Sequence, residues 1–206
     1  MKTPEGSKET METLQPMLEA IRHEVEPVME RLDPHALDRA VQSICQARHI
    51  FVAGMGRSGY MMRAFAMRLM QMGLLVYMVG DTNTPCAQEG DLLVLGSGSG
   101  ETESLKNYAA KAHRLGIETL VITGHPESTL GRAADVLVVL PVNEEAHKDE
   151  TGAMIVYRRE NGGERMLLGS RVELCLLLVC ELLTMLAFRR LGVEEADMMR
   201  RHACFE

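Results

Sequence analysis

Apolar residues recur at helical spacing from Met11 to Leu32, where Leu14, Met17, Leu18, Ile21, Val25 and Met29 share a face. Pro16 and Pro27 complicate the turns, and residues 1–10 read as loose. Asp33-Pro34 places a capping carboxylate before a proline at the first helical position, predicting a second helix to about Ala47. From there short apolar runs alternate with helical stretches. His49–Ala53, Leu74–Val79, Asp91–Leu95, Ile117–Ile122 and Asp135–Leu140 read as strands. Tyr60–Met72 closed by Gly73, a stretch from about Glu101 to Leu115 closed by Gly116, and Ser128–Ala133 read as helices. This alternation predicts an α/β fold: a doubly wound five-stranded parallel sheet of order 2-1-3-4-5, flanked by helices.

After Pro141 the pattern changes. NEEAHKDET is polar, and AMIVYRRENGGERMLL predicts two short strands around Asn161-Gly162-Gly163. A long helix begins at Ser170, and a last helical piece, Glu194–His202, follows Gly192. Glu181 and the Arg189-Arg190 pair break the apolar run Leu174–Leu191 below spanning length, so it reads as a buried core helix. Residues 1–206 are thus expected to form a single domain, with an N-terminal arm (1–32), a variable stretch (143–168) and C-terminal helices (170–206). The arm either packs on a sister subunit or covers its own sheet.

Parallel sheets bind ligands beyond the carboxyl ends of their strands, where the winding direction switches. Here that crevice lies between the loops Gly54–Gly59 and Gly96–Gly100. In the second loop Ser97, Gly98, Ser99, Gly100 and Thr102 combine hydroxyl donors, small residues and a helix N-terminus, the ingredients of a phosphate cradle. No lysine follows as in a nucleotide P-loop, and the glycine spacing is not GxGxxG. A capped helix whose serines only satisfy backbone donors is the other reading of the loop alone. In the first loop Arg57 and Ser58 offer a cation and a hydroxyl at the head of a helix.

A net charge of −7 disfavours nucleic acid and membrane surfaces, so an anionic ligand needs local donors. Five scattered cysteines without a CxxC pair point to reduced thiols, a cytoplasmic setting and no zinc site. The N-terminus has no apolar signal core. The 16 methionines suit flexible packing in core and interfaces.

The runs FVAGMGRSGYMMRAFAMRLMQMG, VGDTNTP, GSGSGETES and RRHACFE resemble the sugar isomerase (SIS) family and, more narrowly, 6-phospho-3-hexuloisomerases. The resemblance implies a five-stranded parallel sheet, a homo-oligomer (dimer or tetramer) and a phosphosugar substrate. It also implies interconversion of 3-hexulose 6-phosphate and fructose 6-phosphate through an enediol, in formaldehyde fixation by the ribulose monophosphate route. No metal or organic cofactor is implied.

Ser97, Ser99 and Thr102 match the family's phosphate loop, with Arg57 and Ser58 near it, and Thr82 and Thr84 match a threonine-rich stretch that lines the sugar or makes a turn. Glu173 matches the family's base at the start of the long helix, although Ser170-Arg-Val-Glu173 also spells a capping box. His202 matches the family's terminal histidine; the other histidines, His125 among them, show no partner pattern. Val172, Cys204, the charge of Arg171 beside Glu173 and the 153–168 stretch depart from the family. Two alternatives stay open: an isomerase of another phosphosugar, and a non-catalytic phosphosugar sensor.

Overall fold

The structure, a computed structural model, describes residues 5–142, 146–148, 154–156, 166, 167, 169–202 and 204. The chain runs α1 (Glu5–Glu30), α2 (Pro34–Gln46), β1 (Ile50–Gly54), α3 (Gly56–Gln71), β2 (Val76–Met78), β3 (Leu92–Gly96) and α4 (Glu103–Arg114). It continues through β4 (Glu118–Thr123), α5 (Thr129–Ala133), β5 (Val136–Val139), β6 (Ala146–Lys148), β7 (Met154–Val156), α6 (Ser170–Leu191) and α7 (Glu195–Arg200).

Strands β1–β5 form one parallel sheet in the order β2-β1-β3-β4-β5, as the alternation predicts. Because side chains alternate across a strand, each one feeds two cores. Ile50, Val52, Leu92, Val94, Leu120 and Ile122 pack with α2, α3 and α6. Phe51, Ala53, Leu93, Leu95 and Val121 pack with Leu105 and Ala109 of α4 and Leu130 of α5. The apolar α6 is a core helix: Cys175, Val179, Cys180, Leu183 and Ala187 are fully buried. Among the described residues no helix is long and apolar enough to cross a membrane.

Three local expectations need correction. Helix α1 starts at Glu5 and carries Pro16 and Pro27 inside it. Its last turns are held by contacts, with Val25 and Val28 buried and Glu24 ion-paired to Arg171 at 3.9 Å. Leu14, Met17, Leu18 and Ile21 remain 41–50% exposed, so the arm covers its own domain only at its C-terminal end. Helix α3 starts at Gly56 rather than Tyr60, because Gly54 and Gly59, which read as turn residues, are close-approach positions. A Cβ on Gly59 would stand 2.7 Å from the Gly54 carbonyl oxygen, so only glycine lets α3 lie this near β1. Lastly, β7 lies in the first predicted hairpin strand but pairs with β6, inside the stretch that reads as merely polar. The turn at Asn161-Gly162-Gly163 lies outside the described residues.

At the end of the sheet away from the two glycine loops, Asp91 ties β1 to β3. Its fully buried carboxylate accepts bonds from Arg48 Nε (3.0 Å) and the Gln88 N–H (2.7 Å), and lies 3.0 Å from His49 Nδ1. Burial pushes its pKa up, but the bonds from Arg48, Gln88 and His49 outweigh this and leave it below the usual value. A depressed folded pKa means that the stability it adds is present above the ordinary aspartate range and lost as pH falls through the lowered value. Asp91→Asn is therefore expected to cost about 1–3 kcal/mol at pH 7. The gap to wild type should narrow toward pH 3, as read by denaturant unfolding; a gap independent of pH would show that charge plays no part.

Candidate active site

Beyond the carboxyl ends of β1 and β3 lies a cavity of about 220 Å³. The loop after β3 contributes Ser97, Gly98, Ser99 and Thr102, α3 contributes Ser58, and α6 contributes Val172 and Glu173. The structure therefore brings together the serine loop, Ser58 and Glu173, three features from separate parts of the chain.

The N-cap residues of three helices also line this cavity: Met55 for α3, Thr102 for α4 and Gly169 for α6. None of the three makes a side-chain capping bond. In contrast, α2 and α5 are capped by Asp33 and Ser128, although the short α7 also lacks a side-chain cap. Helix N-termini carry partial positive charge and N–H groups without intrahelical partners. Three of them converging on one space make it suited to an anion.

The serine loop is fixed by its own bonds. Ser97 Oγ accepts from the Gly100 N–H (3.1 Å) and lies 3.2 Å from Thr102 Oγ1, while Ser99 Oγ accepts from the Glu101 N–H (3.2 Å). The oxygens are thus engaged within the loop; the Ser99 hydroxyl hydrogen, and one from the Ser97–Thr102 pair, are left for a ligand. Neighbouring elements hold the loop from behind. Gly98 O accepts from the Gly124 N–H (3.1 Å), Gly100 O from the Leu130 N–H (3.1 Å), and the Glu101 carboxylate from the Thr129 N–H (2.7 Å). Gly100 has φ +64°, and a Cβ there would fall 1.9 Å from Ser128 Oγ, so this position is closed to any side chain.

Glu173 is not the helix cap that its spacing from Ser170 suggests. The chain enters α6 through Gly169 in the left-handed region (φ +68°), which makes Ser170 the first helical residue and leaves no side-chain cap. The Glu173 carboxylate, 16% exposed, instead accepts a hydrogen bond from Arg57 Nε. The cation beside it is therefore Arg57 of α3, while the neighbouring Arg171 pairs with Glu24. Val172 closes over the loop, and a Cβ on Gly98 would lie 2.8 Å from Val172 Cγ1.

Other expected site residues lie elsewhere. Thr84 Oγ1 lies 2.7 Å from Met78 O and 2.8 Å from Asp81 O, a bond that makes the turn after β2, and Thr82 is exposed beside it. Neither lines the cavity. His202 is exposed just after α7, and the adjacent Arg201 guanidinium lies against Gly73, with Nη1 3.4 Å from Gln71 O. Gln71 ends α3, whereas Ser58 stands in its first turn, about 20 Å away along the axis at 1.5 Å per residue. His125, given no role above, lines the cavity. Its place just past a strand's carboxyl end was the signal available in the sequence.

The SIS domain family profile matches residues 43–159. A 3-hexulose-6-phosphate isomerase of Mycobacterium gastri is 35% identical over 189 residues, 92% of this chain and 89% of that protein. One from Bacillus subtilis is 37% identical over 171 residues, 82% of this chain and 86% of that one. A Methanococcus jannaschii protein, whose crystal structure infers a 3-hexulose-6-phosphate isomerase function, superposes with a TM-score of 0.72 at 30% identity. That match covers 90% of this chain and 97% of the other.

Proposed function

As the chain belongs to the SIS domain family, we propose that it interconverts 3-hexulose 6-phosphate and fructose 6-phosphate. The observation that carries this reading is the convergence of the serine loop, three uncapped helix N-termini and Glu173 on one cavity. Ser97, Ser99, Thr102 and Ser58 bind the phosphate together with the helix N–H groups. Glu173 removes the proton from carbon 2 of the 3-ketose and returns it to carbon 3 of the enediolate. That transfer moves the carbonyl from carbon 3 to carbon 2 without net gain or loss of atoms or electrons.

Arg57 connects the two tasks. Its guanidinium holds the Glu173 carboxylate, and a phosphate or enediolate oxygen competes for the same donors. Substrate that draws Arg57 away leaves the carboxylate free to take a proton.

His202 stands too far along α3 to serve this cavity in its own chain, so the proposal places it in the site of a second copy. The exposed apolar stripe Leu14, Met17, Leu18 and Ile21 supports such a homo-oligomer. The proposed role is proton transfer among substrate hydroxyls, suited to an imidazole near neutral pH. The cysteines, held as thiols rather than disulfides, fit a cytoplasmic enzyme in formaldehyde assimilation.

The test is a coupled assay. Formaldehyde and ribulose 5-phosphate, with a separate hexulose-phosphate synthase, supply the 3-ketose, and fructose 6-phosphate is followed. Turnover that requires both the synthase and this protein is expected. Its absence, with fructose 6-phosphate still protecting the protein from heat, would shift the reading to another phosphosugar isomerase or a sensor.

A further inference from the structure

The phosphate loop is flanked by β1 on one side and β4 on the other, and the two sides differ in their chemistry. On the β1 side stand Ser58 and Arg57. On the β4 side the cavity wall is His125. Its backbone is spent on structure: the N–H lies 3.2 Å from Thr123 Oγ1 as a donor, and the carbonyl accepts from Ser128 Oγ at 2.6 Å. The preceding residue is locked to the loop, the Gly124 N–H donating to Gly98 O at 3.1 Å. The imidazole, by contrast, makes no hydrogen bond or ion pair among the described residues. A half-buried ring without a partner among the described residues, on a backbone pinned this firmly against the serine loop, is open to bond the cavity's occupant.

We propose that His125 is a phosphate ligand of this site, its protonated imidazole binding the dianion on the β4 side of the loop, opposite Arg57. The inference rests on the phosphosugar reading above and adds a residue and a pH dependence to it. The surrounding charges leave this role open. On α6, Glu173 is paired with Arg57 of α3. On the α4 side Lys106 is shared between Glu101 (3.6 Å) and Glu103 (2.9 Å), and on the α5 side Glu127 faces Arg132 at 3.9 Å. Before a ligand binds, these acids already have cations, and a phosphate brings further negative charge to the ring's side of the cavity. Histidine is the side chain that gains and loses charge between pH 5 and 8, the range in which a phosphate monoester completes its second ionisation.

The experiment measures the Kd of fructose 6-phosphate by calorimetry from pH 5.5 to 8.5 for wild type, His125→Asn and His125→Arg. Fructose serves as the ligand without phosphate. The ester's own titration is common to all three proteins, so the difference between them isolates the imidazole. His125→Asn is expected to bind about fivefold more weakly than wild type near pH 6, the order of a partly exposed ion pair. It should converge on wild type above pH 8, and His125→Arg should bind tightly across the range. Binding of fructose should be insensitive to all three residues. Parallel pH profiles for wild type and His125→Asn would overturn the inference while leaving the cradle in place. So would an arginine variant weaker than the asparagine one at every pH. Failure of wild type to bind fructose 6-phosphate at any pH would overturn both the phosphate reading and the inference.

Discussion

Glu173→Gln is expected to lower isomerase turnover by about a thousandfold while leaving fructose 6-phosphate affinity within a few fold of wild type. General acid–base groups contribute factors of about 10² to 10⁴, and an enediol route needs a base to take a proton from one carbon and return it to the next. The amide keeps the size of the carboxylate, so Val172 and the loop beneath it should hold their places. The change also separates two roles that one side chain holds in the structure. Glutamine gives up the ion pair with Arg57, which leaves the guanidinium to the phosphate. Affinity for fructose 6-phosphate should therefore hold or rise as kcat collapses. A fall in both by the same factor would mean that Glu173 anchors Arg57 rather than moving a proton. Unchanged turnover would remove it from the chemistry altogether. Arg57→Ala supplies the control, since it should weaken phosphoester binding without the same loss of kcat.

How far the sequence carried the site can be traced residue by residue. That Ser97, Ser99 and Thr102 would line a crevice was legible because their loop follows a central strand at the switch in winding direction, and strand order followed from apolar runs that alternate with helices. The start of α3 was not, because Gly54 and Gly59 look like turn residues whether they bend the chain or admit a helix against a strand. Local spacing also misread Glu173. Ser170 and Glu173 satisfy a capping pattern, but the left-handed Gly169 moves the cap back by one residue and lets the carboxylate meet Arg57, 116 positions earlier in the chain. The pairing of β7 with β6 was hidden for a related reason: a three-residue strand in a polar stretch has no periodicity to find. His125 was passed over although it follows a strand's carboxyl end, because what ties that turn to the serine loop, the Gly124 N–H bond to Gly98 O, is a contact that only the sheet brings about.

A mixture of two inactive variants is expected to regain activity. Glu173 lines the cavity beside the first turn of α3, and His202 follows Arg201 at that helix's other end. If each active site draws Glu173 from one copy and His202 from another, then Glu173→Gln and His202→Asn damage different partners of the same site. In a symmetric oligomer reassembled from equal amounts, half the sites receive an intact Glu173 and half of those an intact His202. Roughly a quarter of the wild-type activity should return, and diluting either variant with the other should follow the product of their fractions. Two outcomes would break the scheme. An active His202→Asn protein would show that the terminal histidine is dispensable. Two inactive variants that stay inactive after reassembly, with mixed oligomers demonstrated by mass, would put both residues to work in one chain. Arg201 and His202 would then have to leave the end of α3, and the Arg201 contact with Gln71 is the bond that such a movement must break.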